Sequence, residues 1–339
     1  MPASVVERAA SSPDILKIIG LTTEFRGRQT RIRANDDIHL SIRRGSTLGV
    51  VGESGSGKSV LCRSILRLLP PSANAYFKGA VEYEGRDLLG LDEAEMRRLR
   101  GTELRMIFQN PMTSLNPVWP IGDQITEGLR VFGGLSSRRA HDRGIEMLGR
   151  VGIPSPERRF DEYPFQWSGG MLQRAVIAMA MAGSPKLLFA DEPTTALDVT
   201  IQDQILALLL ELQERSGMTL VLVSHDLAVV AETCDRIAVM YAGRIVETAP
   251  TKSIFRSPRH PYTVGLLNSI PHLSKGASRL VPIPGQPPDL ASLGPGCPFA
   301  PRCSYASADC STSAIRLSEA GPDHLSACLH PERIEGVAA

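Results

Sequence analysis

The chain has 339 residues, 42% of them hydrophobic and 22% charged, an ordinary globular composition and enough length for one large domain with a smaller appendage. Its 37 basic and 36 acidic residues leave a formal charge of +1, so no global field steers it onto nucleic acid or an anionic membrane. No apolar run approaches the roughly 18 residues of a bilayer span, and MPASVVERAASSPD lacks the regions of a secretory signal. A reducing compartment is therefore expected, which argues against disulfides for the six cysteines.

Alternating apolar and polar residues in DILKIIGLTTEF and IHLSI, joined by RGRQTR, predict antiparallel strands between Ile15 and Ile42. STLGVVGESGSGKSVLCRSILRLL then reads as buried strand, Gly-rich turn and amphipathic helix, the opening of a parallel βα unit. From Pro111 to Pro185 the pattern is helical with breaking signals at GGLSSRRA and VGIPSPERR, and no strand is expected there. Two further buried strands, KLLFADE and TLVLVSHD, end in acidic residues or histidine, where open parallel sheets gather their chemistry. Beyond Pro258 the composition shifts, and seven prolines in residues 281–302 predict an extended strap leading to a separate cysteine-bearing tail.

GESGSGKS, from Gly52 to Ser59, matches a phosphate-binding loop between a strand and a helix. Gly52, Glu53, Ser54, Gly55, Ser56, Gly57 and Val60 supply the backbone that curls round phosphate oxygens; Lys58 reaches the outer phosphates, and Ser59 offers its hydroxyl to Mg²⁺. At the end of LLFADE, Asp191 is expected to hold Mg²⁺, directly or through water, and Glu192 to polarise an attacking water. Ser168, Gly169 and Gly170 in WSGGM precede a helix and make a second anion site, although a Ser cap followed by a glycine turn is the plainer reading of the string alone.

The order GESGSGKS, FQNPMTSLNP, WSGGM, LLFADEPTTALD and LVSHD resembles the ATP-binding-cassette ATPase over residues 15–258, with the helical subdomain at about 110–185. The fold class implied is α/β: a P-loop nucleotide-binding core with an N-terminal antiparallel β subdomain, an inserted helical subdomain and a small Pro/Cys-rich C-terminal extension at 259–339, behind an N-terminal tail at 1–14. The resemblance implies that Ser168-Gly169-Gly170 closes over the ATP held by a second cassette in a head-to-tail dimer. It also gives Gln109 contact with Mg²⁺ and the attacking water, Asp198 a place in the dimer contact, and His225 a role on the γ-phosphate. Phe25 is the candidate for stacking on adenine, with core packing equally open. Trp167 and Met171 depart from the usual LSGGQ form, so a polar contact credited to that Gln is absent.

Together with IFRSPRHPYT and IPGQPPDL before GCPFAPRC, the pattern resembles ATPase subunits of bacterial oligopeptide and dipeptide importers. That likeness implies ATP hydrolysis on the cytoplasmic face of the inner membrane. The implied partners are two integral-membrane permeases, a second and related ATPase subunit, and an extracytoplasmic solute-binding protein; dipeptides, oligopeptides, nickel complexes and glutathione all remain as solutes. The alternative, a soluble cassette ATPase acting on DNA or ribosomes, predicts a coiled-coil insertion, zinc modules, two cassettes or a basic stripe, none of which the sequence contains. A small-molecule kinase leaves WSGGM and TALD unexplained.

Cys297, Cys303, Cys310 and Cys328 are separated by five, six and seventeen residues, and Pro298 and Pro301 hold the first interval extended. Four thiolates suit an iron–sulfur cluster or zinc, with His324 and His330 as substitute ligands. Resemblance to the importer branch favours a [4Fe–4S] cluster, with zinc and free or oxidisable thiols as alternatives; its expected role is structural, because a Pro-rich tail with few large apolar residues buries little core. Cys62 and Cys234 read as ordinary buried thiols.

Overall fold

The computed structural model describes residues 13–28, 30–195, 197–269 and 282–334; most of the expected N-terminal tail and the start of the Pro-rich strap lie outside these. The chain divides into two compact units, one made of residues 1–89 and 222–339, the other of residues 90–221.

The first unit opens with β1 (Asp14–Arg26) and β2 (Arg31–Arg43), an antiparallel pair that runs from Asp14 opposite Arg43 to Arg26 opposite Arg31 with register shifts between Asp14 and Glu24. The five residues of β3 (Thr47–Val51) are all buried, as a strand covered on both faces must be, and α1 (Lys58–Ile65) follows the Gly-rich turn. Two strands absent from the sequence reading, β4 (Ala75–Tyr83) and β5 (Arg86–Asp87), complete a sheet of order β2-β1-β4-β5.

The second unit begins with α2 (Glu93–Thr102), whose Asp92 and Glu95 form a reciprocal capping box, and β6 (Leu104–Ile107). Helices α3 (Pro111–Ser114), α4 (Ile121–Val131), α5 (Ser137–Arg150), α6 (Pro156–Arg159) and α7 (Gly169–Met181) follow with no intervening strand, as the pattern predicts. Next come β7 (Leu187–Asp191), fully buried and parallel to β6, α8 (Val199–Ser216), and β8 (Thr219–Ser224), within which the chain passes back to the first unit.

There the chain continues through α9 (Leu227–Thr233), β9 (Arg236–Tyr241), β10 (Arg244–Pro250), α10 (Thr251–Arg256) and α11 (Pro261–Asn268). The tail holds α12 (Ala308–Thr312), β11 (Ser318–Gly321) and β12 (His324–Ser326). β3 lies parallel to β9, and β9, β10, β12 and β11 continue antiparallel in that order. The tail is therefore no separate piece: it adds two strands to a sheet edge, and its Phe299 and Ile334 are buried. Runs as short as SEAG and HLS carry too little alternation to announce this. Glu247 of β10, fully buried, accepts the Arg259 amide at 2.5 Å and pairs with His324 Nε2 at 2.7 Å, and Asp323 takes both Arg43 and Arg236.

In the second unit, helix α4 approaches Phe160 so closely that a Cβ on Gly122 would stand 2.2 Å from its ring. Gly122→Ala is expected to destabilise this unit by about 1–3 kcal/mol through overpacking, with a lower denaturation midpoint at unchanged slope.

Candidate ATP-binding site

The phosphate loop lies wholly in the first unit. Gly52 and Gly57 have φ of 153° and 101°, and a Cβ on either would meet a backbone oxygen, Met240 O at 2.1 Å or Ala34 O at 2.3 Å. The Gly243 amide, in the β9–β10 turn, donates to Ser56 O at 2.9 Å. Lys58, buried, donates from Nζ to Gly52 O at 2.7 Å and Glu53 O at 2.9 Å. The loop thus encloses its own cation, which a triphosphate would draw outward. Ser54 and Gly55 are exposed at the tip, Ser59 and Val60 are half-buried at the start of α1, and Phe25 is half-buried near the end of β1. His225 is exposed just beyond β8, where Asp226 caps α9 by accepting the Ala228 amide at 2.8 Å.

In the second unit, Asp191 is buried at the end of β7 and Glu192 follows in a left-handed conformation with φ 46°. A non-glycine residue pays about 1–3 kcal/mol for that backbone, which persists only where surrounding structure over-determines it. Gln109 Nε2 donates to Glu192 Oε2 at 3.0 Å and Thr195 Oγ1 to the same oxygen at 2.9 Å, so two sequence-chosen residues, Gln109 and Glu192, meet. Ser168 is exposed and caps α7, accepting the Met171 amide at 3.4 Å, while Gly169 is exposed and Gly170 half-buried. Trp167 is buried with Nε1 on Glu162 Oε2 at 2.8 Å, so the departure from Leu satisfies its one polar atom and leaves the Ser-Gly-Gly turn presented to solvent. Asp198 is exposed at the start of α8.

The four tail cysteines, together with His260, Phe299 and His330, border one narrow cavity. His324 is not among them, being committed to Glu247. Among the described residues, however, no group of three or more His, Cys, Asp or Glu stands so as to hold a metal ion. Burial pushes the thiols of Cys297, Cys303 and Cys328 up, the last to about 11, so a soft metal would have to displace their protons. Cys62 and Cys234 are buried, and burial raises Cys234 to about 12.

The family description "ABC transporter" matches residues 35–195, and "Oligopeptide/dipeptide transporter, C-terminal region" matches residues 246–310. A Brucella melitensis protein named as a peptide import ATP-binding protein is 50% identical over 96% of this chain and 99% of its own. This chain belongs to the ABC transporter ATP-binding family. A Sinorhizobium fredii relative, named as a peptide ABC transporter ATP-binding protein, is 50% identical over 94% of this chain and 96% of its own. Among solved structures, the cassette MJ0796, a dimer in a post-hydrolysis state bound to ADP and Pi, aligns with TM-score 0.62 and 28% identity over 70% of this chain and 98% of that one. The cassette cbiO1 from Clostridium perfringens aligns with TM-score 0.61 and 27% identity, covering 71% and 90%.

Sequence reasoning missed two residues that bond Glu53 of the loop, Tyr262 and Arg302, and a third, Tyr241, that bonds Arg302. Their only sequence signal is chemical type, since they lie far from GESGSGKS along the chain.

Glu192→Gln is expected to retain ATP binding while slowing hydrolysis by about 10² to 10⁴, as loss of a general base would. Single-turnover phosphate release checks this, with wild-type turnover counting against the assignment.

Proposed function

We propose that this ABC ATPase powers peptide import by binding two ATP in a head-to-tail dimer docked on separate membrane permeases. The observation that carries the reading is the pairing of a phosphate loop and a catalytic-type Glu192–Gln109 contact with a peptide-transporter C-terminal region in one chain. No helix among the described residues is long and apolar enough to cross a membrane. Large apolar side chains exposed in the second unit, Met112, Val118, Trp119 and Phe165, are of the kind a permease loop would cover. The proposed location is the cytoplasmic face of the inner membrane, with a related ATPase subunit and an external solute-binding protein in the same system.

In this reading Gly52 to Val60 hold the triphosphate and Phe25 the adenine, Ser59, Gln109 and Asp191 serve Mg²⁺, and Glu192 activates water. His225 contacts the γ-phosphate. Ser168, Gly169, Gly170 and Asp198 serve the dimer partner's nucleotide. Exposure of the Ser168 turn supports its use between subunits. A Ser168→Arg chain is expected to keep its fold and ATP affinity but to abolish turnover of the ATP bound by its partner. Mixed dimers with one mutant chain distinguish the sites; failure of the mutant's own ATP alone rejects the trans assignment.

Cys297, Cys303, Cys310 and Cys328 are proposed to hold a structural [4Fe–4S] cluster, with zinc as the alternative. What supports this reading is donor chemistry alone, four soft thiols bordering one cavity, since they do not stand in a metal-holding arrangement in the structure described. Anaerobically purified protein is expected to be brown with about four irons per chain, in line with one cubane cluster, and to lose them in Cys303→Ser. Colourless, metal-free protein with full transport removes both metals.

A further inference from the structure

Glu53, the second residue of the phosphate loop, is gripped at three atoms by the C-terminal part of the first unit. Its amide donates to Tyr262 Oη at 2.8 Å, and its carboxylate receives a two-pronged bond from Arg302, Nη1 to Oε2 at 2.8 Å and Nη2 to Oε1 at 3.1 Å. The Arg302 side chain is 5% exposed and that of Glu53 27%. Every guanidinium nitrogen is engaged: Nη1 also reaches Tyr241 Oη at 3.2 Å, Nε reaches Pro284 O at 2.7 Å and Nη2 reaches Gly285 O at 3.4 Å. Tyr241, Tyr262 and Phe299 pack ring to ring around it, with centroids 4.5 to 5.4 Å apart. Arg302 ends the short 3₁₀ turn Ala300–Arg302 and is followed directly by Cys303, so the thiol-bearing module delivers it.

The same Glu53 is a hub inside the loop, because its carbonyl accepts Lys58 Nζ at 2.9 Å and the Ser56 amide at 3.2 Å. A shift of Glu53 therefore moves the partners of the phosphate-binding ammonium. Its carboxylate also places a negative charge in the loop that must receive a polyanion, and Arg302 neutralises it. Planar bidentate pairing suits arginine and not lysine.

We propose that Arg302 is a positioning residue for nucleotide binding: by pairing with Glu53 it fixes the phosphate loop and masks the carboxylate that would otherwise repel ATP. The inference rests on the loop being the ATP site, which wild-type MgATP binding and its loss in Lys58→Ala test separately.

The experiment measures MgATP affinity of the full-length chain by displacement of a fluorescent ATP analogue, and KM and kcat in the assembled transporter. Arg302→Gln is expected to raise Kd about 10-fold, the size of one lost charge-assisted contact, with the rise in KM exceeding any change in kcat. The defect grows as ionic strength falls, since exposed charge is then less screened. Glu53→Gln in the same chain removes the unmasked carboxylate and is expected to bring Kd back to within about 3-fold of wild type, a coupling that independent sites do not show. A residue that merely holds the tail together gives no such recovery. Unchanged affinity in folded Arg302→Gln, or a double variant as weak as the single, overturns the proposal. If Arg302→Gln does not fold, Arg302→Lys carries the test: it keeps the charge without the fork and is expected to weaken binding about 3-fold, and wild-type affinity there also overturns it.

Discussion

A buried ammonium needs partners, and that need organises the first unit. Lys58 is almost wholly out of water, where an uncompensated charge costs several kcal/mol, and it takes the carbonyls of Gly52 and Glu53. Those carbonyls can turn inward only because Gly52 and Gly57 adopt positive φ, with no side chain to strike Met240 O or Ala34 O. The loop is then fastened from outside by the Gly243 amide, Tyr262 and Arg302. The loop is thus held by segments from far along the chain, and not by the eight-residue motif alone.

The end of β7 in the second unit uses the same economy of means. Glu192 is held in a left-handed backbone, and its carboxylate is shared by Gln109 and Thr195, which fix where that oxygen sits. Trp167 shows how a departure from a common motif is absorbed. Its ring is buried, its N–H finds Glu162, and the Ser-Gly-Gly turn beside it keeps its exposure.

The cysteine-bearing tail gains its order from the sheet edge it joins. β12 pairs with β10, and buried Glu247 ties together Arg259 and His324. A segment with so many prolines forms few hydrogen bonds of its own, so borrowed strands and charge pairs replace an independent core. This also explains why His324, close in sequence to the thiols, faces elsewhere, while His330 borders their cavity.

What the sequence determined by itself is whatever local spacing encodes. The strands β1, β3, β7 and β8, the loop from Gly52 to Ser59 and the helical stretch before Pro185 follow from period, turn residues and chemical type within short windows. Edge and hairpin strands were not legible: β9 and β10 lack clean alternation because both faces are buried, β4 is buried only at Val81 and Tyr83 near its end, and β11 and β12 are too short. Tertiary structure alone decided which distant side chains serve the site. Arg302 stands 249 residues beyond Glu53, and no periodicity carries information across that interval. Only the folding of the tail onto β10, driven by strand pairing and by burial of Phe299, Tyr241 and Tyr262, brings the guanidinium to the carboxylate.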